Sequence, residues 1–219
     1  MNENLGPIHY MMYEKIKFQD EMTAYLMDGN TKEIDKIMPA VSTDPLDKII
    51  DQENIHGYLS SKIDVVENRL SMAFAMAENI DQKLFDFGKS KGKNKDFYKL
   101  ENIIQDLNIY LLDGMPCDKA ISLTIDDNND LYLITNNNLH SKYQTYIDPK
   151  SSLENTCQGD HDHNKLNSFD IEKKKNIKTN YEDSFYHKKR LEFLKGYFSD
   201  SAYEVSLVDG INYRIYKKR

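Results

Sequence analysis

Two segments of this sequence, IHYMMYEKI at 8–16 and IHGYLSSKI at 55–63, share an Ile-His pair and, at the same spacing, a Lys-Ile pair. On a helix each imidazole stands beside an apolar stripe, His9 next to Ile16 and His56 next to Ile63. Both histidines fall in a first helical turn, where free backbone N–H groups and the positive end of the helix disfavour an imidazolium. A neutral ring keeps one lone pair, which could serve a transition metal, a haem iron or a hydrogen bond to a bound acid or alcohol. Tyr10, Tyr13 and Tyr58 lie near the same helix starts and could line a pocket with an apolar ring and a hydroxyl. The competing expectation is that each histidine sits at the edge of the core bonded to a carbonyl, and that the repeat is coincidence in a chain rich in Ile and Lys.

A second pair is Cys117 and His140. ISLTI and LYLIT, separated by DDNND, predict a β-hairpin. A turn centred between Asn128 and Asn129 would place Cys117 across from His140 on one face, whereas a centre at Asn128 pairs Cys117 with Leu139 and turns His140 away. In the first register a histidine could take the thiol proton and make Cys117 a nucleophile toward an acyl or amidine carbon. A buried structural cysteine is the alternative. The stretch CQGDHDH collects Cys157, Asp160, His161 and His163, donor types suited to zinc, but without the spacing of a closed structural site. It reads as a weak metal loop or simply a solvated one.

The elements that must position these residues begin with a helix entered through Pro7 and stopped near Gly29, burying Ile8, Met12, Ile16, Met22 and Leu26. A short helix over 31–38 and a linker over 39–45 follow. A long helix is expected from about 54 to 80, striped by Ile55, Leu59, Ile63, Val66, Leu70, Ala73 and Ala77. The basic runs at 89–95 and 173–178 read as solvated loops, with a phosphate contact as the alternative. A third helix over 96–112 ends at DGMP, since Gly114 can take a positive φ and Pro116 cannot continue a helix. Residues 149–180 lack any period and read as a long polar loop. Another helix then precedes YEVSLVDGINYRIYKK, where Asp209-Gly210 predicts a type I′ hairpin. The fold class is therefore α+β: N-terminal long helices packed on an antiparallel sheet of two β-hairpins with an intervening helix. Residues 1–115 form a helical part and 116–219 an α+β part, expected as one compact unit.

The formal charge of −7 over 219 residues opposes non-specific attraction to nucleic-acid phosphates. No uninterrupted apolar run reaches the length of a membrane span, and the N-terminus does not read as an export signal. Two cysteines in such a chain point to free thiols and a reducing cytoplasm. The Lys, Asn, Ile and Tyr content suggests a bacterial, low-GC source.

GPIHYMMYEKI, NIHGYLSSKIDVVENRL and LLDGMPCD together resemble a group of uncharacterised clostridial proteins with similar His-containing helix starts. That resemblance covers about the first 120 residues and implies no activity. PCD at 116–118 followed by LHSKY at 139–143 is similar to the Cys and His segments of L-2-amino-thiazoline-4-carboxylic acid hydrolase-like proteins, which would imply a catalytic role for Cys117 and His140. The expectation that leads is a non-catalytic small-molecule, metal or haem-type ligand-binding or sensor protein, its pocket between the first helices and the sheet. A Cys/His hydrolase of a small amide or amidine, and a helical protein that forms a homodimer or docks on a partner, are the alternatives.

Overall fold

The computed structural model describes residues 5–97, 99–146 and 184–218. The expected loop at 149–180 lies outside them, and so do Cys157, Asp160, His161 and His163. Helix α1 (Pro7–Leu26) starts where Pro7 needs no N–H partner. Its first turn is tied down reciprocally: the Gly6 N–H donates to His9 Nδ1 at 2.9 Å, and the His9 N–H donates to the Gly6 carbonyl at 3.0 Å. Gly29 adopts φ +78 and donates its N–H back to the Ala24 carbonyl, ending the helix where the sequence predicts. Met12, Ile16 and Leu26 are buried as expected, but Ile8 is 42 % exposed because it faces an open groove.

Short helices α2 (Lys32–Ile37) and α3 (Leu46–Ile49) lead to α4 (Ile55–Met76), which packs along α1. Arg69 of α4 is fully buried and holds α1 and α2 through Asp20 at 2.6 Å and Asp35 at 2.7 Å. The helix expected to 80 ends at Met76: Ala77 is extended, Asn79 takes φ +52, and a separate helix, α5 (Ile80–Gly92), follows.

The basic stretch expected as a loop is helical up to Gly92. Its glycines are not breaks: Gly88 and Gly92, one turn apart, lie against the backbone of α7 (Phe185–Tyr197). A Cβ at Gly88 would stand 2.0 Å from the Phe193 carbonyl oxygen, and one at Gly196 of α7 would stand 1.9 Å from that of Phe85. Absent side chains let the two helices approach this closely, which no periodicity of apolar residues reveals. Helix α6 (Leu100–Tyr110) begins later than expected and buries Ile103 and Leu107.

Strands β1 (Ile121–Ile125), β2 (Leu131–Thr135), β3 (Tyr203–Leu207) and β4 (Tyr213–Lys217) form one antiparallel sheet in the order β1-β2-β4-β3. Alternation puts Leu131 and Leu133, Tyr213 and Ile215, and Tyr203 and Val205 on the face packed against α7. The first hairpin pairs residues whose numbers sum to 256, the Asn128-centred register. The cause is its three-residue loop: Asp126 accepts the Asn129 N–H, Asn129 takes φ +59, and Asp126 and Asp130 close the turn. The second hairpin departs from the type I′ expectation in the same way. Only Gly210 has a positive φ, the Val208 N–H bonds to the Asn212 carbonyl, and the Asp209 side chain accepts the Asn212 N–H at 3.0 Å.

The main core joins α5, α7, α6 and the sheet; a second cluster fills the space between the N-terminal halves of α1 and α4. None of the described helices is long and apolar enough to cross a membrane.

Candidate functional site

At the β1 edge the sheet extends past the helices that cover it. Ile121, Leu123 and Ile125 occupy the same face as the buried side of β2, yet Leu123 and Ile125 remain 43 % and 46 % exposed. The overhang forms one wall of a groove of about 390 Å³, a size common for small-molecule sites. Helix α1 supplies a second wall through Ile8, Met11, Met12 and Lys15, and α6 with its following residue a third through Ile104, Leu107, Asn108 and Leu111. Both sets have i, i+3, i+4, i+7 spacing, one face of a helix. Lys15 is therefore a cation placed in an apolar stripe. It is 8 % exposed, and its Nζ donates to Asn108 Oδ1 at 2.9 Å. Burial pulls its pKa down, with the negative charge of Asp113 opposing that shift.

The groove floor is the segment 111–116. Asp113 reaches from it into a buried polar cluster that sequence reasoning did not anticipate. Asp113 Oδ1 accepts from Arg190 Nη1 at 2.7 Å and meets His140 Nε2 at 2.9 Å. The other ring nitrogen, Nδ1, meets Glu67 Oε2 at 3.0 Å. Carboxylates at both nitrogens favour the protonated ring, while the Arg190 guanidinium, its Nη2 3.1 Å from Nε2, opposes it. Burial alone would lower the His140 pKa, but Glu67 and Asp113 outweigh it and the pKa is raised. Burial likewise opposes the Asp113 carboxylate, yet Arg190 and His140 hold it well below the usual carboxylate range. Arg190 is also bound to the Leu112 carbonyl and the Tyr186 hydroxyl, which pins α7 to the floor.

On the far side of 111–116 lies a second cavity of about 220 Å³, walled by α4 and the 3₁₀ turn Leu139–Tyr146. Glu67 and His140 line it from inside, and Asp64, Lys142 and Tyr143 stand at its mouth. A leaf of backbone separates the two spaces, with Gly114 and Met115 common to both walls.

The residues expected to carry chemistry are distributed differently. His9 and His56 are neighbours, with ring centroids 5.6 Å apart, but neither lines these two cavities. His9 is buried and caps its own helix through Nδ1, and His56 is exposed. Tyr13 is buried and its hydroxyl donates to the Ser42 and Asp44 carbonyls; Tyr58 is half-buried and Tyr10 exposed. A groove does lie between the first helix and the sheet, but its buried polar group is Lys15. Cys117 is exposed and has no disulfide partner among the described residues, and the Asn128-centred register does not pair it with His140. Both His140 ring nitrogens are already engaged, Nδ1 with Glu67 and Nε2 with Asp113 and Arg190, and none of these partners is Cys117. Among the described residues no group of three His, Cys, Asp or Glu side chains is arranged to hold a metal ion.

Lys15 belongs to the repeated Lys-Ile pair, so one readable signal pointed to it: Ile8, Met11, Met12 and Lys15 share a face. Glu67, Asp113 and Arg190 come from three distant segments, and no local pattern joins them. Comparison with family models, with curated proteins and with solved structures finds no match to this chain.

Proposed function

We propose that the chain is a non-catalytic binding protein for a small molecule with an apolar body and an anionic head group, held in the groove between α1, α6 and β1. The observation that carries this reading is the buried ammonium of Lys15 at the base of a mostly apolar groove. A cation there destabilises the fold unless it does something, because burial of a charge is costly. A carboxylate would supply the counter-charge, and Ile8, Leu123 and Ile104 would cover an alkyl or aryl body. Lys119 adds a second positive charge to the wall, against the single negative charge of Asp113, itself neutralised by Arg190 and His140.

The test is titration with octanoate and with 1-octanol, read by calorimetry and by backbone amide shifts of α1 and β1. Octanoate should bind with shifts confined to the groove, octanol at least about tenfold more weakly, and Lys15→Met should remove that preference. No saturable binding of octanoate, or equal binding of octanol by the unmodified protein, would end the proposal.

A further inference from the structure

Strand β1 forms one edge of the sheet and pairs only with β2 among the described residues. The bonds at its two ends fix which backbone groups face outward. The Ala120 carbonyl accepts the Asn136 N–H at 2.8 Å, and the Asp126 N–H donates to the Asp130 carbonyl at 3.1 Å. Both pairs follow the register of the ladder, so the even-numbered residues of β1 exchange bonds with β2. Ile121, Leu123 and Ile125 therefore turn their N–H and C=O groups away from β2, to the open edge. The side chains of the same three residues make up the overhang, and those of Leu123 and Ile125 are exposed. Natural sheet edges are usually guarded by a charge, a proline or a bulge. ISLTI has none of these and its ladder to β2 is unbroken, whereas β3 at the other edge carries the exposed Glu204.

The segment is also nearly its own reverse. Paired antiparallel with a second copy about Leu123, it sets Leu123 against Leu123, Ile121 against Ile125 and Ser122 against Thr124. The residues with outward backbone groups then face one another, as a hydrogen-bonded ladder requires. Beyond the strand ends the same register brings Lys119 of one copy to Asp127 of the other, exposed charges with no ion-pair partner among the described residues. A slip of two residues keeps the backbone match but sets Asp127 opposite Ile121, or Lys119 opposite Ile125, and loses the charge match.

We propose that β1 is the interface of a homodimer in which a second copy of this chain continues the sheet across a two-fold axis. Two four-stranded sheets become one of eight strands, and the exposed Leu123 and Ile125 of each copy gain apolar neighbours from the other. The axis stands perpendicular to the sheet, so both overhangs lie on one side and the two grooves face each other across the joint. The pairing needs no ligand in either groove. An interface of one short strand is small, and the dimer dissociates on dilution.

Sedimentation velocity of the full chain from about 5 to 500 µM should show a reversible monomer–dimer transition. Amide hydrogen exchange over the same range should slow at Ile121, Leu123 and Ile125 as concentration rises, and change far less at Ser122 and Thr124, which are already bonded to β2. Leu123→Lys sets like charges opposite each other on the axis and should weaken dimerisation by about tenfold or more. Lys119→Glu should weaken it several-fold, and adding Asp127→Lys should restore it, a rescue that mere damage to the fold would not give. Should Leu123→Lys not fold, this charge exchange takes its place. The proposal is overturned by a strict monomer at about 500 µM, or by a dimer that Leu123→Lys and Lys119→Glu leave intact. Protection of the outward amides that is equal at every concentration would also overturn it, since the edge would then be covered within one chain.

Discussion

The imidazole of His140 lies flat on the phenol ring of Tyr186, with centroids 3.6 Å apart and planes 9° from parallel. Stacking fixes the ring plane, and the two nitrogens then point in opposite directions, toward Glu67 and Asp113. Because the folded-state pKa of His140 lies above its unfolded value, its contribution to stability is complete below about pH 6.5 and is lost as pH rises through the folded value. Urea unfolding should therefore show stability falling on the alkaline side of neutrality, by at most about 1.4 kcal/mol per pH unit. His140→Gln should abolish this slope, and an unchanged slope in that variant would show that another group titrates.

His187 behaves in the opposite sense. Burial, aided by the positive charge of Arg190, lowers its pKa to about 3, and its ring meets the Tyr213 hydroxyl at 2.8 Å. The unfolded chain binds a proton near pH 6.5 and the folded one does not, so stability drops as pH falls from about 6.5 toward 3. Asp113, held below the usual carboxylate range, adds further loss once the pH passes below about 4. His187→Gln should flatten the upper part of this acid limb in urea titrations while leaving the part due to Asp113.

Between α5 and α7 the glycines allow no added carbon. Gly88→Ala or Gly196→Ala would drive a methyl into a backbone carbonyl oxygen and force the helices apart. Each substitution should cost roughly 1–3 kcal/mol or more, by overpacking of a close interface. Gly29→Ala tests a different mechanism, since nothing lies within 4 Å of a Cβ there and only the positive φ opposes it. Thermal melts should rank Gly29→Ala as the milder change.

Replacing Lys15 separates binding from stability. Lys15→Met removes a buried cation from an apolar wall at similar volume, leaving Asn108 able to turn to solvent. The melting temperature should rise by about 2–4 °C, the shift expected from roughly 1 kcal/mol in a chain of this size, while octanoate binding is lost. A melting temperature that falls instead would mean that the Lys15–Asn108 bond serves the fold.

How far the sequence could be read follows from the range of the interactions. The helix start at Pro7, both hairpins and the helix between them rest on local chemistry, a missing N–H or an apolar alternation, and they stand where the residues indicate. The second hairpin is not the expected type I′ turn because the Asp209 side chain accepts backbone N–H groups and so favours a three-residue loop over a tighter one. The glycines of α5 looked like a break because their use lies on α7, over a hundred residues away. The site was the least legible part. His140 drew attention as a partner for Cys117, but its partners, Glu67, Asp113 and Arg190, meet only once α4, α7 and the 111–116 segment are packed together. Lys15 stands out in the sequence only through the repeat, whereas its place in the structure follows from sharing a face with Ile8, Met11 and Met12.

The backbone between the two cavities has its own mechanical meaning. Gly114 sits in it at φ +72, and a Cβ there would fall 2.3 Å from Leu139. Because both walls share this segment, a substitution that shifts it, such as Gly114→Ala, would reshape both cavities at once.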